Sequence, residues 1–203
     1  MTSAELEARL AEYPLSFDEA TDEIEWTRFP SMLAVFRRLC DGPLPPKQAD
    51  FVYAFAATYS QSHRHLFTPE NRRATVARLK RAYPSLVRDN HLFLKLQEAF
   101  ERVERDDTLD EFSGVDFVIH QAGRVFHIHA YTNTRRGRQW RQTKQDRHAA
   151  DPNVTIIDFA LNLNEAKPVG QFLLYSDRTV ARLRTEVERH LTGMPLTDQG
   201  SKI

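Results

Sequence analysis

Through its first 84 positions the chain places apolar residues at helical spacing. Met32, Leu33, Val35, Phe36 and Leu39 form a stripe that Cys40–Asp41–Gly42–Pro43 stops, and Phe51, Val52, Phe55 and Ala56 repeat the pattern after Pro45–Pro46. Thr68–Pro69–Glu70 predicts a helix start, with a capping hydroxyl, proline in the first turn and an acid near the positive dipole end. Tyr83–Pro84 predicts the end of that helix, because the residue before proline is biased away from helical geometry. A separate helix over 86–100 then buries Leu92, Phe93, Leu96 and Phe100, with His91, Lys95 and Glu98 along another face.

Beyond this point the pattern mixes strand with helix. A short strand is expected around 101–106, followed by a hairpin, a basic helix from about Arg135 to Ala149, a strand through Val154–Phe159 and another through Phe172–Tyr175. Val180, Leu183, Val187 and Leu191 make the seam of a closing helix started by Ser176 or Asp177.

The hairpin sorts its side chains by chemistry. With Ala122 and Gly123 as the turn, His120 lies opposite Val125, Ile119 opposite Phe126, Val118 opposite His127 and Asp116 opposite His129. One face then carries Val115, Phe117, Ile119, Phe126, Ile128 and Ala130. The other gathers Asp116, His120, His127, His129 and Tyr131 around two valines. A polar face of this kind points to a site, although solvated or structural histidines account for it equally well, and an Asp116–His129 pair is itself a structural option.

Composition narrows the partners. The chain has 203 residues, with 28 Lys and Arg against 28 Asp and Glu, so affinity for nucleic acid has to come from local charge. Residues 134–148 hold Arg135, Arg136, Arg138, Arg141, Lys144 and Arg147 against Asp146 alone. A single cysteine, Cys40, excludes an internal disulfide and a multi-cysteine zinc site, which fits a reducing, cytoplasmic setting. The N-terminus has no signal-peptide pattern and no run is long enough to span a bilayer, so no membrane role is expected. No phosphate-cradling glycine loop, nucleophile elbow or dinucleotide fingerprint is present.

The order helix, three strands, helix, strand, with Gly114–Val115–Asp116–Phe117–Val118–Ile119 turning at Gly123 into Val125–Phe126–His127–Ile128–His129–Ala130, resembles the PD-(D/E)XK nuclease superfamily over roughly residues 86–176. The resemblance implies an α/β, restriction-endonuclease-like mixed sheet flanked by helices, with residues 85–203 as the core and 1–84 as a helical N-terminal region. Asp116 matches the family's aspartate. His127 and His129 stand where its glutamate and lysine belong, and Glu98 is similar to the acid that some members add from the preceding helix. Asp116, His127 and His129 are therefore the candidate catalytic residues, and Asp116, His127 and Glu98 the candidate metal ligands. Neutral imidazole is a poor magnesium ligand and a good one for zinc or manganese.

Two readings follow from the altered signature. One is a nuclease-like fold that has lost cleavage and kept binding; the other is a metal-dependent nuclease or phosphodiesterase using magnesium, manganese or zinc at a histidine-containing site. The expected partner is nucleic acid, DNA first, held by Thr134, Arg135, Arg136, Arg138, Arg141 and Lys144, where guanidinium forks and a helix N-terminus favour phosphate. A solvated charged helix is the plain alternative for that segment. A third reading is a non-catalytic interaction subunit that binds a protein partner through the helical N-terminal region. His63–Arg64–His65 reads as a polar loop, and Cys40 as an inert residue beside a buried stripe.

Overall fold

The computed structural model describes residues 1–17, 29–42, 44–132 and 154–193. In chain order these form α1 (Ser3–Leu10), α2 (Met32–Cys40), α3 (Gln48–Tyr59), a 3-10 turn (Arg64–Phe67), α4 (Pro69–Ala99), β1 (Arg102–Glu104), α5 (Asp107–Ser113), β2 (Phe117–Gln121), β3 (Arg124–Thr132), β4 (Val154–Leu161), a 3-10 turn (Leu163–Glu165), β5 (Lys167–Val169), β6 (Phe172–Leu174) and α6 (Asp177–Thr192). The protein is thus mixed α/β with a four-stranded mixed sheet. Its contacts define two compact units, Met1–Leu94 with Ala166–Tyr175, and Lys95–Glu165 with Ser176–Ile203. No helix among the described residues is long and apolar enough to cross a membrane.

The first unit is built on capped helices. Thr2 and Glu5 close a capping box on α1, and the Ser31 hydroxyl accepts from Ala34 N at the start of α2. The predicted stripes then meet. Phe36, Phe51, Phe55 and Tyr83 bury their rings together, with Phe36 edge-on to Phe51 at 5.8 Å and to Tyr83 at 6.0 Å. Burial pushes the Tyr83 phenol well above its ordinary range, and its hydroxyl donates to the Pro46 carbonyl at 2.6 Å.

Pro84 does not end a helix, contrary to the sequence expectation. α4 runs unbroken from Pro69 to Ala99 with Pro84 inside it, so the separate helix over 86–100 is its C-terminal half. Proline removes one hydrogen bond, and the carbonyl four residues earlier loses its donor. That carbonyl belongs to Lys80, and it accepts instead from the side-chain amide of Gln48 at 3.0 Å.

The strand expected at Phe172–Tyr175 is present as Phe172–Leu174. β6 pairs antiparallel with β5, a short strand not anticipated from the sequence, and this hairpin joins the first unit. Gly170 is required at its turn: φ is +54°, and a Cβ there would lie 2.8 Å from the Ala11 carbonyl oxygen.

The second unit carries the sheet, in the order β1-β2-β3-β4. The first three strands are antiparallel and β4 runs parallel to β3. The hairpin register is the one read from the sequence, with Val118 opposite His127, Ile119 opposite Phe126 and His120 opposite Val125. Ala122 (φ +50°) and Gly123 (φ +72°) form the turn, and two consecutive positive φ angles match the right-handed twist of the strands they join.

The apolar face is buried as expected, through Phe117, Ile119, Phe126 and Ile128, and β4 extends it with Ile157 and Phe159. Burying each such side chain contributes roughly 1.5–3 kcal/mol. α6 packs against β4 through its predicted seam, with Val180, Leu183 and Val187 buried and the Arg182 guanidinium 5.1 Å from the centre of the Phe159 ring. α5 was not anticipated. Asp106 caps its amides at Thr108 and Leu109, and Gly114 ends it in the left-handed conformation.

Candidate functional site

The opposite face of the hairpin begins where α5 gives way to β2. Asp116, one position before β2, donates its amide to the Ile128 carbonyl at 2.9 Å, while its Oδ2 accepts from the Ala130 amide at 2.8 Å. On β3 the His129 ring, 4% exposed, bonds through Nδ1 to the Gly114 carbonyl at 2.8 Å. A carbonyl only accepts, so Nδ1 carries the proton, and in the neutral ring the lone pair sits on Nε2.

These contacts have a common cause. As the chain turns out of α5, regular pairing with β3 has not yet begun, and polar backbone groups on both sides need partners. The Asp116 carboxylate satisfies the Ala130 amide, and the His129 imidazole satisfies the Gly114 carbonyl. Asp116 and His129 are brought to the same end of β3, each bonded to backbone.

His127 is half-buried and stands between Val118 on β2 and Ile156 on β4. His129 has Asp158 as its partner across the parallel ladder, so Asp158 lies on this face beside it. The sequence reading passed over Asp158. Its position between buried Ile157 and Phe159 was a usable signal for its face, but its neighbour depends on a pairing across the long connection from β3 to β4.

On β1, Glu104 reaches His120 at 3.2 Å and also bonds Arg102. The Arg102 hydrogen bond, helped by His120, holds the Glu104 carboxyl below the usual carboxylate range. Glu104 too was not singled out in the sequence.

Glu98 is exposed near the end of α4. Among the described residues, no three His, Cys, Asp or Glu side chains are grouped to hold a metal ion. The donor chemistry does not fit a magnesium centre either. Magnesium asks for several oxygen ligands, whereas this face sets three imidazoles, His120, His127 and His129, beside the carboxylates of Asp116 and Asp158, and Asp116 is already bonded to backbone.

The basic helix expected from about Arg135 to Ala149 and its candidate contacts, Thr134, Arg135, Arg136, Arg138, Arg141 and Lys144, lie outside the described residues. In the first unit, His63 stands just before the 3-10 turn, with its Nδ1 3.0 Å from Ser62 Oγ and its ring edge-on to Tyr59 at 5.4 Å. No protein-family model, curated protein or solved structure matches the chain.

Proposed function

We propose that the chain is a nucleic-acid-binding protein built on a nuclease-like core whose catalytic positions have become structural. The observation that carries this reading is the bonding of Asp116 and His129. At the two positions where the resembled family keeps its aspartate and lysine, both side chains here are engaged with backbone atoms of the hairpin and its lead-in. The four-stranded mixed sheet supports the same reading, since a mixed sheet flanked by helices is what the resemblance implies. The cationic run of 134–148 supplies the local charge that a neutral chain needs to hold phosphate, and it occupies the connection between the two parallel strands. A reducing cytoplasm is the setting that the lone Cys40 favours.

The test is a salt titration of binding to duplex DNA and to RNA, followed by fluorescence anisotropy. Affinity should fall steeply with salt, by roughly one unit of log–log slope per phosphate contact on duplex DNA, and Arg138→Ala with Arg141→Ala should flatten the slope. Absent or salt-independent binding overturns the proposal. Magnesium-dependent cleavage that disappears in Asp116→Asn overturns its non-catalytic part, and cleavage with manganese or zinc alone replaces it with the metal-dependent phosphodiesterase reading.

A further inference from the structure

A cavity of about 410 Å³ opens between α3 and α4 in the first unit. Its walls are apolar, formed by Val52 and Ala56 from α3, Val76 and Leu79 from α4, and Phe67 from the turn before α4. Gln48 reaches this wall, but its amide is already committed: Oε1 accepts from Ser16 N and Oγ, and Nε2 donates to the Lys80 carbonyl. The part of an occupant that enters the cavity therefore meets hydrocarbon and needs to be apolar.

Two cations line the cavity as well. Arg72 and Lys80 both border it, eight positions apart on α4, which places them about 12 Å apart along the helix. Neither has an acidic partner among the described residues. Tyr53, on the α3 side, is 78% exposed. An exposed tyrosine and an arginine beside an apolar cleft are the residue types that anchor protein interfaces.

A ligand with one charged head would use one of these cations and leave the other unmatched. An occupant that matches both is acidic at two points, two helical turns apart, and apolar between them. We propose that the α3–α4 groove docks an acidic amphipathic helix of a partner protein, with its apolar face on Val52, Ala56, Phe67 and Val76 and its carboxylates on Arg72 and Lys80. This interaction is independent of the nucleic-acid reading and involves the other compact unit.

The probe is a fluorescein-labelled, alanine-based helical peptide carrying two glutamates two turns apart around a pair of leucines. Its control has lysine for each glutamate. The full-length protein should bind the acidic peptide saturably and the basic one at least about tenfold more weakly, and the double variant Arg72→Glu, Lys80→Glu should reverse that order. Ala56→Trp, which fills the groove, should abolish binding of both while circular dichroism and the melting transition stay unchanged. Equal binding of the two peptides, binding that survives Ala56→Trp, or occupancy by decanoate with no peptide binding would overturn the proposal. An unfolded Ala56→Trp variant leaves the charge reversal as the deciding measurement.

Discussion

The side-chain amide of Gln48 donates to the Lys80 carbonyl at 3.0 Å, replacing the backbone donor that Pro84 lacks. Gln48 is 5% exposed, and its Oε1 accepts from both the amide and the hydroxyl of Ser16. One buried side chain on α3 thereby ties the segment after α1 to the middle of α4. It also lets α4 run through a proline that would otherwise leave a buried acceptor unsatisfied.

Gln48→Leu should consequently destabilise the protein by about 2 kcal/mol, because it strands the Lys80 carbonyl and the Ser16 amide in an apolar setting. Pro84→Ala restores a backbone donor to Lys80, so the double variant should recover about 1 kcal/mol relative to the sum of the single changes. Urea unfolding of the four proteins gives the coupling. Strict additivity would mean that Gln48 does not stand in for the missing amide.

This relationship also shows where sequence reading reaches its limit. Pro84 was read as the end of a helix and is not one, because the residue that compensates for its missing donor lies 36 positions earlier, in another helix. Local features fared better. The hairpin register followed from side-chain alternation and a two-residue turn, both legible within fifteen positions of Asp116. The start of α4 at Thr68–Pro69 and the seam of α6 followed from caps and spacing in the same way. The placing of Asp158 beside His129 rests on a parallel pairing between distant segments, which no local pattern encodes. α5 had its signals, Asp106 before it and Gly114 after it, but a helix of seven residues offers too short a period to stand out.

If Asp116 acts as a clasp for the Ala130 amide, chemistry at that position should separate from charge. Asp116→Asn keeps an acceptor oxygen and should cost under about 1 kcal/mol, whereas Asp116→Ala leaves the amide unpaired and should cost about 1–3 kcal/mol. Thermal melts of both variants make the comparison. Equal losses would show that the carboxylate's charge, and not its hydrogen bond, is what the hairpin uses.

Ala122 occupies a left-handed conformation that alanine adopts at a cost, while no atom stands within 4 Å of where a Cβ on Gly123 would lie. Ala122→Asn should therefore raise stability by about 0.5–1 kcal/mol, since asparagine tolerates this region and Asn-Gly favours the turn. Gly123→Ala should lower it by about 1 kcal/mol for conformational reasons alone. The Ala122 amide also donates to the Glu101 carboxylate, a contact that neither change removes. A loss of stability in Ala122→Asn would indicate that some other restraint sets the geometry of this turn.

Glu7 should make the stability of the first unit depend on acid pH. Its Oε1 accepts from Nε2 of His91, which is 0% exposed, at 2.9 Å, and its Oε2 accepts from Lys167 Nζ at 2.6 Å. Burial by itself raises the Glu7 carboxyl, but the hydrogen bonds from Lys167 and His91 outweigh it and hold the group below its ordinary value of 4.5. A carboxyl depressed in the folded state contributes stability that is fully present above its unfolded pKa and is lost as pH falls through its folded one. The window for Glu7 therefore opens below 4.5 on the acid side. Glu7→Gln keeps one acceptor and removes the charge, so it should cost about 2 kcal/mol at neutral pH. That difference from the parent should shrink as pH drops through the window. Urea titrations at a series of pH values follow it directly, and a gap between parent and variant that stays constant from neutrality into acid would assign the loss to packing instead of to the ionised carboxylate.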